Sequence, residues 1–145
     1  MEDDDRAGPE VMTDLLDHPF DVTNLVALRA AVAAHADVAG LPSRRIGELV
    51  LLVHELASNA VRHGGGQGRL RMWTTAGALH CEVSDDGPGL AGHHYGADTS
   101  PPLDSVGGRG IWLAHQLCDE VTVATGPIGT TIGLRIALPR RMSPN

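Results

Sequence analysis

The chain contains no lysine. That absence excludes every device that needs a primary amine: the GxxxxGK[ST] phosphate loop, Schiff-base chemistry and the attachment of pyridoxal phosphate. There are only two cysteines, Cys81 and Cys118, and they do not form a CxxC pair. Two buried, reduced thiols in a cytoplasmic protein are the reading this favours. No apolar run approaches the ~18 residues of a membrane span, and the N-terminus lacks the apolar stretch of a signal peptide. The expectation is a soluble, cytoplasmic chain with no membrane contact. Cationic surface is scarce as well. The formal net charge is -7, which argues against any direct nucleic-acid partner.

A length of 145 residues suits one domain. A chain of this size buries roughly 68–70% of its unfolded surface, enough for a core without disulfides or metal. Acidic residues crowd the start: Glu2, Asp3, Asp4, Asp5 and Glu10. Residues 1–12 therefore read as a disordered acidic tail, and 13–145 as the folded domain.

The hydrophobic pattern predicts a short strand over Asp14–Phe20. A helix over Asn24–Ala39 follows, capped by Asp21 or Thr23 and ended by Gly40. Pro42 opens a second helix, whose apolar face carries Ile46, Leu49, Val50, Val53, Leu56, Ala57 and Ala60. At about 100° per residue, Glu55, Asn59, Arg62 and His63 fall on its far and flanking sides. The period then changes to two. "RLRMWT" and "ALHCEVSD" read as an antiparallel hairpin around Ala76-Gly77. A loop rich in Gly and Pro covers Gly87 to Gly110, and a helix is predicted over Ile111–Leu117. "EVTVAT" and "TTIGLRIAL" close the chain around "GPIG". Together these predict a two-layer α/β sandwich, with helices on one face of a mostly antiparallel sheet.

Strand parity gives the first chemical signal. Leu79, Cys81 and Val83 point inward, so Asp85 does too. An inward carboxylate is costly unless paired, and "DGPG" ends the strand immediately after it. A ligand donor such as an exocyclic amino group would satisfy it. Thr130 shares the inward parity of Ile132, Leu134 and Ile136, which adds a hydroxyl. "GGRG", Gly107 to Gly110, places backbone N–H groups and Arg109 at a helix start, an arrangement that attracts phosphate. On the second helix, Glu55 can accept a proton. Asn59, one turn on, offers a neutral oxygen to Mg²⁺, and Arg62 and His63 flank the phosphate end. Singly, each of these suits a solvated helix face or an ordinary loop. As an ordered set they suit one nucleotide site.

That set resembles a known family. "ELASNAVRHG", "DDGPG", "GGRGIWLAHQLCDEV" and "GTTIGLRI", in this order, are similar to the N box and glycine boxes of the GHKL or Bergerat-fold ATPases. These include gyrase B, MutL and the sensor histidine kinases. The chain looks most like the short anti-sigma-factor serine kinases of bacterial partner-switching systems. The resemblance implies that Asp85 binds the adenine amino group of ATP, helped by Thr130, and that Asn59 holds Mg²⁺. It implies that Glu55 is the catalytic base, that Gly87 and Gly89 make room for the nucleotide, and that Gly108 and Gly110 cradle phosphate. It also implies two partners: a sigma factor that is sequestered, and an anti-anti-sigma antagonist that is phosphorylated. The members often form homodimers. The phospho-acceptor and dimerisation helices of a histidine kinase are not expected in the short stretch before the first helix.

Two alternatives are weighed. "GPGLAG" fits GxGxxG, but no helix follows it and Asp85-Asp86 would repel a pyrophosphate, so a dinucleotide site is set aside. The serious rival is an ATP-binding module without kinase activity that acts by sequestering a protein. ATP hydrolysis driving a conformational cycle ranks below both. The His93-His94 pair lacks a third metal ligand.

Overall fold

A computed structural model describes residues 12–63, 65–87 and 108–139. Residues 1–11 of the expected tail, Gly89 and the loop with His93 and His94 lie outside the described residues. Eight elements follow in chain order: β1 (Thr13–Asp21), α1 (Leu25–Ala39), α2 (Ser43–His63), β2 (Gln67–Thr75), β3 (Ala78–Asp85), α3 (Gly108–Leu117), β4 (Glu120–Gly126) and β5 (Gly129–Ala137). The strands form one sheet in the order β1-β2-β3-β5-β4, and all four pairings are antiparallel. The three helices cover one face.

The core follows the two periodicities. Leu70 and Met72 from β2, Leu79, Cys81 and Val83 from β3, and Ile132, Leu134 and Ile136 from β5 are all buried. Above them lie Leu28, Val32 and Ala36 from α1, and Leu49, Leu52, Val53, Leu56, Ala57 and Ala60 from α2. The opposite sheet face is polar. There Trp73 and His80 stack with their rings 5.2 Å apart, and the Arg71 guanidinium lies over Trp73.

Three local features differ from the sequence reading. A single 3₁₀ turn, Val22–Asn24, precedes α1, and Asp21 caps that turn by accepting the Thr23 N–H at 2.8 Å. α3 begins at Gly108 rather than Ile111, so Gly108, Arg109 and Gly110 form its first turn. Glycine is a poor helix former. Gly110 fits closely there: a Cβ would stand 2.9 Å from Leu56 Cδ2, and the buried Leu56 side chain would have to shift. One apolar segment does reach membrane-span length by composition: Val22–Ala39, 18 residues with mean hydropathy 1.2. Its seven alanines raise the average, while Leu28, Val32 and Ala36 face the protein core.

Gly129 opens β5 with φ 156°, and a Cβ on it would collide with the Asp85 carbonyl oxygen. Gly129→Ala is expected to destabilise the fold by about 1–3 kcal/mol, since both strain and overlap must be relieved. A thermal melt checks this. An unchanged melting temperature would mean that the β3–β5 junction relaxes freely.

Candidate nucleotide site

The end of the sheet is built by β3 and β5. Asp85 and Thr130 stand directly opposite each other in the register of these strands. Thr130 is the one buried polar residue among those described, at 4% exposure. Its hydroxyl lies 2.9 Å from that of Thr125, its partner on β4. Asp85 Oδ1 accepts the Gly87 N–H at 2.9 Å. Burial pushes the Asp85 carboxyl above the usual carboxylate range, and the backbone N–H groups of Gly87 and Thr130 offset part of that shift. A half-buried carboxylate beside a buried hydroxyl can read a donor–acceptor edge such as that of adenine.

A cleft of about 480 Å³ opens at this end. Phe20, Asn24, Gly68, Ser84, Asp85 and Asp86 are among its lining residues. The Phe20 ring lies across Gly68, where a Cβ would come within 2.5 Å of Phe20 Cζ. The volume falls in the range of small-molecule sites. Sequence reasoning missed Phe20, Gly68 and Thr125. The two-residue turn Pro127-Ile128 was a usable signal for Thr125, because counting back from it pairs Thr125 with Thr130.

The other half of the site is the contact between α2 and α3. Glu55 and Asn59 are half-buried on α2, one turn apart. Both face Gly110, whose Cβ position is 3.4 Å from Asn59 Nδ2 and 3.7 Å from Glu55 Cβ. The first turn of α3 therefore starts against these two side chains. Its unpaired N–H groups give that turn a partial positive charge. Arg109 belongs to the turn by its backbone. Arg62 and His63 are exposed at the end of α2, and Arg62 Nη2 donates to Asn59 Oδ1 at 3.1 Å. The loop after α2 then meets the β3 terminus: a Cβ on Gly65 would lie 3.7 Å from Gly87 Cα. The structure thus pairs Asp85 with Thr130, and Glu55 and Asn59 with Gly110. Of these five residues only Asp85 lines the 480 Å³ cleft.

The donor chemistry suits Mg²⁺. The neutral amide oxygen of Asn59 is a hard ligand of the kind that completes a cation held mainly by substrate phosphates. Arg62 takes one of the two lone pairs of Asn59 Oδ1, so a cation there would share that oxygen with a guanidinium or displace it. Among the described residues, no three His, Cys, Asp or Glu side chains form an all-protein metal cage. Thiol chemistry finds no support. Burial pushes the Cys81 thiol up, and pushes Cys118 up to about 11.

Residues 18–136 match the family model described as the histidine kinase-like ATPase domain. The chain belongs to that family. This histidine kinase-like ATPase domain is an ATP-binding, kinase-like module. A search of curated proteins gives no significant match. Among solved structures, it is similar to the RsbU and RsbW domains of Rv1364c from Mycobacterium tuberculosis, at 20% identity and TM-score 0.59 over 94% of this chain and 34% of that one. It is also similar to the blue-light activated histidine kinase of Erythrobacter litoralis EL346, at 28% identity and TM-score 0.53 over 68% of this chain and 32% of that one. A third likeness is to the Acinetobacter baumannii histidine kinase AdeS, at 18% identity and TM-score 0.52, over 87% of this chain and 69% of that one. The chain spans about a third of the length of the first two proteins.

Proposed function

We propose that this ATPase domain is an anti-sigma factor and a protein serine/threonine kinase. In this reading it binds Mg·ATP, sequesters a sigma factor and phosphorylates an anti-anti-sigma antagonist in the cytoplasm. The observation that carries the kinase reading is the placement of Glu55 beside Asn59, both against the first turn of α3. Binding alone needs no base at that point. The likeness to a protein whose domains are called RsbU and RsbW supports the partner-switching setting. The folded unit is 13–145, preceded by the acidic tail 1–12, with no nucleic-acid or membrane partner. A homodimer is compatible with the resemblance.

Each residue then has a role. Asp85 accepts the adenine amino group, and Thr130 completes the base edge. Gly87 and Gly89 leave room for the nucleotide. Gly108, Arg109 and Gly110 meet the phosphates, with Arg62 and His63 beside them. Asn59 would hold Mg²⁺, which would supply charge neutralisation on the phosphates. The acceptor hydroxyl forms a bond to the γ-phosphorus as the bond to the ADP oxygen breaks, and Glu55 takes the hydroxyl proton. The transition state is loose, so positioning and charge carry the rate. The product gains about -1.5 to -2 charge, enough to abolish its docking.

One contact favours the second reading, an ATP-binding module that acts by sequestration without kinase activity. The Arg62 guanidinium already holds one lone pair of the Asn59 oxygen and sets a positive charge beside the place Mg²⁺ would take. Partner capture from a bacterial lysate, with and without Mg·ATP and followed by mass spectrometry, separates the two. A sigma factor together with a phosphoserine- or phosphothreonine-bearing antagonist supports the kinase. A sigma factor without any phosphorylated partner supports the sequestering module. Capture of neither by a folded, ATP-binding chain overturns both.

A further inference from the structure

Arg45 stands near the start of α2, where a positive charge opposes that helix's own dipole. Glu48 Oε1 offsets part of the cost by accepting from Arg45 Nη1 at 2.8 Å. The other arm of the fork leaves the helix altogether. Arg45 Nη2 donates to the carbonyl oxygen of Leu117 at 2.6 Å, across 72 residues of sequence. Leu117 is the last residue of α3, where unpaired carbonyls make a cation favourable. The charge is misplaced for α2 and well placed for α3.

α3 needs such a tie. At ten residues it is too short to hold its position alone. Ile111 and Ala114, both fully buried, anchor its middle. On either side of that anchor α3 meets α2: Gly110 against Leu56, Glu55 and Asn59, and Leu117 against Arg45. At 1.5 Å rise per residue, Leu117 lies about 13 Å from Gly108 along the helix. A tilt of about 10° about one end would move the other end by about 2 Å. Misplacement of about 1 Å is already costly at a reacting group.

We propose that Arg45 is a positioning residue for the nucleotide phosphates. By holding the Leu117 carbonyl it sets the tilt of α3, and so places the N–H groups of the first turn against Glu55 and Asn59. The base end, Asp85 and Thr130, belongs to β3 and β5 and does not depend on this tilt. The proposal rests on the nucleotide reading above.

The test compares Arg45→Met and Arg45→Lys with the parent chain. Mg·ATP affinity is measured by calorimetry and adenosine affinity by NMR titration. In a Trp73→Phe background, Trp112 within α3 is the sole tryptophan and reports on that helix. Arg45→Met is expected to weaken Mg·ATP at least tenfold and adenosine less than threefold, with a shift in Trp112 emission. Lysine keeps one donor but not the fork, so Arg45→Lys should recover part of the lost affinity. A general loss of stability would lower both ligands alike. Equal losses for Mg·ATP and adenosine, or no loss in a folded variant, overturn the proposal. Should Arg45→Met not fold, Arg45→Lys decides: Mg·ATP affinity must fall at least threefold while adenosine affinity holds. If the parent chain binds no Mg·ATP, the nucleotide reading fails and the proposal with it.

Discussion

Glu55→Gln is expected to lower phosphoryl transfer by about two to four orders of magnitude, the usual contribution of a positioned general base. Mg·ATP affinity should stay within about threefold. The substitution keeps the size of the side chain and its place beside Gly110, and removes its negative charge and its capacity to take a proton. Transfer of labelled γ-phosphate to a captured partner, with calorimetry on the same protein, separates the two effects. Normal transfer by the variant would reduce Glu55 to a polar-face residue and leave the proton of the acceptor hydroxyl to another group.

Asp85→Asn is expected to move binding and stability in opposite directions. For Mg·ATP the loss is about 1.5–3 kcal/mol, the range for a hydrogen bond to a charged group, or at least a tenfold rise in Kd. Equal affinity in the variant would remove Asp85 from the base site. Without nucleotide the balance reverses. Burial holds the Asp85 carboxyl above its ordinary value of 3.8, so the folded chain binds that proton more tightly than the unfolded chain. Stability therefore falls as pH rises from 3.8 through the raised value, where the folded state must give the proton up. Asparagine does not titrate there. The melting temperature of the variant relative to the parent should climb through that window and remain higher at neutral pH. The opposite trend would mean that the N–H groups of Gly87 and Thr130 fully satisfy the carboxylate before any ligand arrives.

The sequence made the sheet legible because its periodicity is clean. Leu79, Cys81, Val83 and Asp85 share parity, as do Thr130, Ile132, Leu134 and Ile136, and the register sets Asp85 opposite Thr130. The α2 face was legible for the same reason: of the seven apolar residues its 3.6-residue spacing assigned, Leu49, Val53, Leu56, Ala57 and Ala60 are buried and Ile46 and Val50 are partly so, while Leu52, outside that set, is buried as well. What escaped depends on contacts between elements far apart in sequence. Local propensity starts α3 after its glycines, whereas packing against Leu56 and Asn59 draws Gly108, Arg109 and Gly110 into the helix. No local pattern could pair Arg45 with a carbonyl 72 residues away. Strand parity likewise does not tell that β5 enters between β3 and β4.

The two rims of the sheet differ in what they offer a further strand. β1 carries Asp14, Asp17 and Pro19, and its register is broken between Asp14 and Leu16. Charge, a missing N–H and a bulge all blunt an edge. β4, at the other rim, contains Val121-Thr122-Val123-Ala124-Thr125, a run without charge or proline and rich in β-branched side chains. Such a run is a ready template for cross-strand growth. In concentrated or partly unfolded chains, intermolecular β-pairing is expected to begin at β4, and a charge placed at Ala124 should slow it in a thioflavin-monitored aggregation assay.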